Sequence, residues 1–343
     1  MKKKIIVILA FLIPLSIVLF TVFYPKKYDL KPLPIRENTQ YWTLETGSKI
    51  AYNLMPARGI KKPYPIIYLH GGPGGFISNN TIKILEPLSE NGYDVYVYDQ
   101  IGSGFSDRLI DINNYTAERH KKDLEAIVKT IKAEKIIIIG QSWGAMLAIL
   151  FAADNANAID KLILTGAGPI FPINEPLRDM KSPDSLQLKT PIYSNKEANE
   201  KMNDIRTKTV ALWAKIFGTP LATDKEMDAF QTLLTNETNK SIVCDTSKAP
   251  KTTETGGNGY YVQIMTMRSL SEIENPRTKL KASKIPLYLM RGQCDNQKWG
   301  FITEYLSLFP KNKLSLIPNA GHSIAIEQPA LYLSSLRDFL KDK

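Results

Sequence analysis

One segment of the chain, residues 135–145, reads KIIIIGQSWGA. Its four consecutive isoleucines are β-branched and apolar, which is typical of a strand buried on both faces of a parallel sheet. A G-x-S-x-G pattern follows, and then the helix-forming run AMLAIL at residues 145–150. A strand, a tight glycine turn and a helix together present a serine as a nucleophile at the top of a sheet. We therefore predict that Ser142 is a nucleophile rather than an ordinary turn residue.

Apolar runs alternate with helical patterns on both sides of this segment. Further strands are predicted at residues 65–70, 94–98, 161–165, 285–291 and 313–317, with a hairpin over residues 41–54. The alternation lapses over residues 169–283, where helical patterns predominate. The sequence therefore predicts an α/β fold, with a mainly parallel twisted sheet and helices on both faces. We assign the core to residues 40–168 and 284–343, and a helical cap insertion to residues 169–283.

Two further polar residues stand just past the ends of predicted strands, namely Asp295 and His322. Functional groups collect at the carboxyl ends of the strands in such sheets. Serine, acid and histidine also follow one another in an order known for serine hydrolases. We expect His322 to be the general base for Ser142, and Asp295 to orient its imidazole. His120 lies among charged residues of a predicted helix, so we expect it to be a solvated surface histidine.

A glycine-rich loop, HGGPGG at residues 70–75, follows another predicted strand. Glycine at this density indicates unusual backbone dihedrals or a close approach of the backbone to a ligand. The lysine and hydroxyl residues of a phosphate-binding P-loop are missing, so an oxyanion-binding loop is better supported. We expect the backbone N–H groups of Gly72 and Trp143 to form the oxyanion hole.

Composition narrows the range of functions. The chain has 343 residues and a formal net charge of +10, but seven basic residues and one acidic residue lie within residues 1–36. The rest is nearly balanced, which gives little reason to expect a nucleic-acid partner. The two cysteines, Cys244 and Cys294, form neither a disulfide framework nor a metal site, and the sequence leaves a single bridge between them open.

The N-terminal residues 1–27 combine a basic head with an apolar run from Ile5 to Tyr24. About twenty residues match the thickness of a bilayer core. The segment lacks an A-x-A-like cleavage site, which favours a membrane anchor over a cleaved signal peptide, with secretion as the alternative. The basic cluster Lys2–Lys4 favours an extracytoplasmic catalytic domain. Residues 28–39, rich in proline and lysine, are interpreted as a linker.

At these motifs the chain resembles the proline iminopeptidase (prolyl aminopeptidase) group of α/β-hydrolases. The matching segments are HGGPGG at residues 70–75, DQIGSG at 99–104, GQSWG at 140–144, GQCD at 292–295 and GH at 321–322. The resemblance implies an α/β-hydrolase fold with a helical cap and no cofactor or metal. It also implies a serine hydrolase of the aminopeptidase type, which removes an N-terminal residue, often proline, from a small peptide.

The same resemblance places acidic cap side chains around the substrate's free amine, one of them in a tryptophan–glutamate pair. Here Trp213 is followed by Ala214 and Lys215, while Glu272 and Glu274 lie late in the cap. An esterase, lactonase or other amide hydrolase with the same triad and a small acyl substrate is therefore the alternative. A non-catalytic tethered binding protein is a more remote one.

Overall fold

The computed structural model describes residues 2–281 and 283–341, and only the backbone of residues 2–11 and 15. The predicted N-terminal segment, cap and core also include Met1, Ala282, Asp342 and Lys343, which lie outside the described residues.

Eight strands of the described chain form the main sheet. They are β1 (Gln40–Thr43), β2 (Lys49–Met55), β3 (Ile66–Leu69), β4 (Val95–Tyr98), β5 (Ile136–Gln141), β6 (Ile159–Thr165), β7 (Leu287–Gly292) and β8 (Asn312–Ile317). Their order is β8-β7-β6-β5-β3-β4-β2-β1. Neighbours from β8 to β4 run parallel, whereas β4 with β2 and β2 with β1 run antiparallel. The predicted fold class, a mainly parallel sheet, is confirmed.

The isoleucine run of β5 shows why the sheet is covered on both faces. Ile136 and Ile138 belong to one apolar cluster, and Ile137 and Ile139 to a second. Successive strand side chains point to opposite faces, so a continuous apolar run requires a core on each side. Burying one such side chain contributes roughly 1.5–3 kcal/mol.

The helices supply these two cores. Their bounds are α1 (Lys2–Phe23), α2 (Asn79–Leu85), α3 (Ala117–Ile131), α4 (Trp143–Asn155), α5 (Glu175–Arg178), α6 (Asn195–Met202), α7 (Ile205–Phe217), α8 (Asp224–Thr238), α9 (Tyr260–Ser269), α10 (Arg277–Lys281), α11 (Trp299–Leu308), α12 (Ile324–Glu327) and α13 (Pro329–Lys341). Apolar side chains of α3, α4 and α11 join the first cluster. Those of α2 and α13 join the second, so each face of the sheet is covered by helices.

The chain between β6 and β7 carries helices α5 to α10. A disulfide joins Cys244 in this insertion to Cys294 in the loop after β7, with the two Cα atoms 5.3 Å apart. The segment before the core also contacts the insertion, because Lys31–Pro32 pairs in parallel with Glu254–Thr255. The division of the chain into a linker, a core and a cap at the residues given above stays a prediction.

The N-terminal prediction requires correction. No helix of the described residues combines the length and the apolar character that a membrane span needs. The predicted membrane anchor, with its transmembrane helix, is therefore wrong, and the extracytoplasmic placement that rested on this anchor loses its support. Polar groups hold the end of α1 against the insertion instead. Arg206 of α7, which is buried and paired with Glu226 at 2.6 Å, donates a hydrogen bond to the carbonyl of Val22, and Lys26 pairs with Asp204.

His120 also differs from its prediction, since its side chain is buried. Its Nε2 lies 3.1 Å from the hydroxyl of Thr266 in α9, and its ring packs edge-on against Trp143. The surface prediction was wrong because the charged neighbours of His120 in α3 say nothing about what packs on the helix from elsewhere in the chain. Burial lowers the pKa of His120 to about 3.

We expect this buried histidine to make stability depend on pH. The unfolded chain takes up a proton at His120 below its ordinary pKa of 6.5, whereas the folded chain keeps it neutral down to about 3. Its contribution is therefore complete above pH 6.5 and declines as the pH falls, by about 1.4 kcal/mol per pH unit. Urea unfolding between pH 7.5 and 5 should give a shallower pH dependence for His120→Gln than for the wild type. An equal pH dependence of the free energy of unfolding in the two proteins would contradict this role of His120.

Candidate active site

The serine turn has the geometry of a nucleophile elbow. Ser142 has φ 55° and ψ −116°, between the end of β5 and the start of α4. A non-glycine residue in the left-handed region is strained and is held only by its surroundings. A Cβ added to Gly144 would lie 2.0 Å from the carbonyl oxygen of Leu69, and one on Gly140 would lie 2.7 Å from that of Gly144. The two glycines therefore permit the close packing of strand and helix that this turn requires.

The predicted acid and base lie in hydrogen-bond contact. Nδ1 of His322, in the loop after β8, lies 2.9 Å from Oδ1 of Asp295, in the loop after β7, and both side chains are buried. Burial raises the pKa of Asp295, but His322, Arg291 and the N–H of Gln297 lower it more. The pKa of Asp295 consequently lies below its ordinary value, and this carboxylate is ionised at neutral pH.

The end of β6 links the serine and histidine positions. The carbonyl of Thr165 accepts a hydrogen bond of 2.9 Å from the backbone N–H of Ser142. At the next residue, Gly166, an added Cβ would lie 2.6 Å from the ring of His322. Ser142 and His322 also line the same cavity, of about 910 Å³. The structure therefore brings Ser142, Asp295 and His322 together at the carboxyl edge of the sheet.

The glycine-rich loop after β3 approaches the serine closely. A Cβ on Gly71 would lie 3.2 Å from Cβ of Ser142, and Gly71 and Gly72 both line the cavity. Gly72 has φ 132°, which residues with a side chain rarely adopt. Trp143 begins α4, so its N–H belongs to the first turn, where helical N–H groups lack partners within the helix. Of the two predicted oxyanion residues, Gly72 therefore lines the same cavity as Ser142, and Trp143 directly follows this serine.

Two polar side chains without a predicted role support this loop. Nε2 of His70 accepts a hydrogen bond of 3.0 Å from the N–H of Gln100, and Nδ1 lies 2.8 Å from the carbonyl oxygen of Gly71. Burial lowers the pKa of His70, which favours the neutral ring that this pattern needs. Gln100 donates to the carbonyl of His70 and accepts from the indole of Trp143 at 2.8 Å. Gln100 thus connects His70, at the start of the glycine-rich loop, to the side chain of Trp143.

Sequence reasoning identified the motifs that contain these residues, but not their contacts. The polar glutamine directly after the strand end at Asp99 was the available signal for Gln100. Arg291, which is buried and donates to the carbonyls of Asp295 and Gln297, had no signal beyond its place in a predicted strand. Among the described residues, no group of three or more histidine, cysteine and acidic side chains could hold a metal ion.

Comparison with known families agrees with this architecture. A family model described as the alpha/beta hydrolase fold matches residues 64–329, and the chain belongs to this family. It is therefore a hydrolase of the α/β class.

Its curated relatives define a narrower group. The chain is 25% identical to a proline iminopeptidase of Heyndrickxia coagulans over 86% of its own length and 96% of the relative's. It is 38% identical to that of Lactobacillus helveticus over 35% of its own length and 40% of the relative's. The resemblance to the proline iminopeptidase group is confirmed.

Solved structures support the same fold at lower identity. An esterase from Exiguobacterium antarcticum superposes with a TM-score of 0.60 at 19% identity, covering 88% of this chain and 99% of that chain. A thermophilic esterase from Thermogutta terrifontis gives a TM-score of 0.61 at 19% identity, with 88% and 98% coverage. At this level of identity the likeness concerns the fold alone.

Proposed function

We propose that this hydrolase is a serine aminopeptidase, which cleaves the amide bond after the N-terminal residue of a small peptide through an acyl-enzyme intermediate. The observation that carries the proposal is the 2.9 Å contact between His322 and Asp295, at a cavity that His322 shares with Ser142. The names of the curated relatives support the choice of substrate.

The roles of the three side chains follow from this geometry. With Nδ1 of His322 hydrogen-bonded to Asp295, Nε2 is left to accept the proton of the Ser142 hydroxyl. The serine oxygen attacks the carbonyl carbon, and His322 then protonates the leaving amine. A water activated by the same histidine releases the acyl group. Asp295 keeps the imidazole in the productive tautomer and stabilises the imidazolium.

The developing oxyanion needs donors that are already in place. We assign this role to the N–H groups of Gly72 and Trp143. Gln100 and His70 hold the two parts of this hole against each other through the hydrogen bonds described above. One such donor typically contributes about 3 kcal/mol to the stabilisation of the transition state.

Recognition of a free amine requires a carboxylate in the cavity. Among the described residues that line it, Glu254 is the acidic one. A hydrogen bond from Thr252 lowers the pKa of Glu254, so its carboxylate is charged at neutral pH. Glu272 and Glu274 are exposed and lie outside the lining. We therefore assign the substrate ammonium to Glu254.

A substrate panel tests this function. We expect the purified protein to cleave prolyl or another aminoacyl p-nitroanilide at least tenfold better than its N-acetylated form. Glu254→Gln should raise KM for the free-amine substrate, whereas the matched variant Glu272→Gln should not. Ester hydrolysis is the second candidate function, because Trp213 is followed by Ala214 and not by the glutamate expected from the resemblance to the proline iminopeptidase group. Turnover confined to p-nitrophenyl esters would favour it and refute the aminopeptidase assignment.

A further inference from the structure

Three loops contact one another next to the backbone that carries the proposed acid–base pair, Asp295 and His322. One follows β7 and carries Cys294 and Asp295, and another follows β8 and carries Gly321 and His322. The third is residues 242–245 of the insertion, which we call the cap loop. The disulfide between Cys244 and Cys294 joins the cap loop to the residue that directly precedes Asp295.

A single carboxylate ties the cap loop to the histidine loop. Glu327, at the end of α12, is buried with 7% of its surface exposed. It accepts a hydrogen bond of 2.6 Å from the N–H of Gly321, which directly precedes His322. It also accepts from the N–H of Cys244 at 2.9 Å and of Asp245 at 3.2 Å. Backbone N–H groups from the cap loop and from the loop that carries His322 therefore converge on one buried side chain, which holds the two loops together.

Backbone hydrogen bonds also join these three loops. The N–H of Cys294 donates to the carbonyl of Ala320 at 2.9 Å, and that of Ser323 donates to the carbonyl of Ile242 at 3.1 Å. A Cβ on Gly321 would lie 2.6 Å from the oxygen of Ile242. The cap loop therefore packs directly on the backbone that carries His322.

We propose that the Cys244–Cys294 disulfide and Glu327 are positioning groups, through which the cap loop holds Asp295 and His322 within hydrogen-bond distance of each other. The proposal rests on the proposed function, because it assumes that this pair serves Ser142. Small displacements of a general base cost rate even when substrate still binds. Removing the disulfide or the contacts of Glu327 should therefore lower kcat and leave KM nearly unchanged.

Reduction of the disulfide should act in the same way. A dithiol reductant attacks one sulfur through its thiolate, the S–S bond breaks, and the reductant leaves as its own disulfide. Two electrons and two protons pass to the protein, which then carries two thiols. Of the two residues, Cys244 is half-buried and Cys294 is buried, so Cys244 is the more accessible one.

Kinetics of variants of the full chain test the proposal. We expect the double variant Cys244→Ser/Cys294→Ser to have a kcat at least tenfold lower than the wild type, with KM changed less than twofold. The assay temperature should lie well below the Tm of the variant. Dithiothreitol should produce the same loss in the wild type and none in this double variant. Glu327→Ala should also lose at least tenfold, and Glu327→Gln, which keeps an acceptor, should recover part of it. Glu90→Gln, an exposed glutamate, is the matched control.

Two results would overturn the proposal. One is a double variant with wild-type kcat and a lowered Tm, which would make the disulfide a purely structural bond. The other is equal activity of the Glu327→Ala variant and the wild type. If the double variant does not fold, the variants Glu327→Ala and Glu327→Gln decide the question, since both retain the disulfide. An active Ser142→Ala variant would instead refute the proposed function, so the two failures remain distinguishable.

Discussion

Replacing Ser142 by alanine is expected to lower kcat by roughly four orders of magnitude or more, on whichever substrate the protein turns over. The residue occupies the strained turn between β5 and α4 and faces the cavity that His322 also lines. Alanine removes the hydroxyl that we propose forms the acyl-enzyme, and leaves helix α4 and the proposed oxyanion donors in place. Steady-state kinetics with a chromogenic substrate would measure the effect.

A matched change separates this effect from a general loss of structure. Ser334 is an exposed residue of α13, and Ser334→Ala makes the same chemical change away from the cavity. We expect this variant to keep the wild-type kcat. A Ser142→Ala protein that retained wild-type turnover would show that a different nucleophile is at work.

Asp295→Asn is expected to lower kcat by about two to four orders of magnitude. The carboxylate accepts the Nδ1 proton of His322, so the proton-accepting position remains at Nε2. An asparagine can turn its amide N–H₂ toward Nδ1, which favours the tautomer with the proton on Nε2. That tautomer cannot take a proton from Ser142. Crystal or NMR data would show an intact fold alongside the slow turnover.

The control for this variant is an aspartate at the opposite edge of the sheet. Asp94 precedes β4 and pairs with Lys61 at 2.6 Å, so Asp94→Asn also removes a paired carboxylate. Its effect on kcat should be within about twofold. Equal effects of the two substitutions would indicate a loss of stability and would deny Asp295 its role as the orienting acid.

Local sequence patterns predicted the fold class well because they report local physics. The isoleucine run of β5 requires burial on both faces, and the two separate apolar clusters found there satisfy this requirement. Positions after strand ends converge in a parallel sheet, so the loops carrying Asp295 and His322 could be placed near Ser142 before any contact was known. The catalytic roles of these residues stay predictions that the variants above test.

Contacts between distant segments were not accessible in the same way. The charged neighbours of His120 in α3 indicated a surface position, yet α9 of the insertion covers its ring. The apolar run of α1 suggested a membrane anchor, but none of the helices that the structure describes is long and apolar enough to span a membrane, and buried Arg206 contacts the end of α1. In each case the decisive partner lies more than a hundred residues away in the chain.

The sequence alone determined which side chains can do chemistry and at which strand ends they stand, because strand periodicity and glycine turns are encoded in consecutive residues. Only the tertiary structure decided how those groups are held. The disulfide between Cys244 and Cys294, the three N–H groups around Glu327 and the Gln100 bridge each join segments that the sequence leaves unrelated. Such contacts depend on the packing of the insertion against the core, and no local pattern specifies that packing.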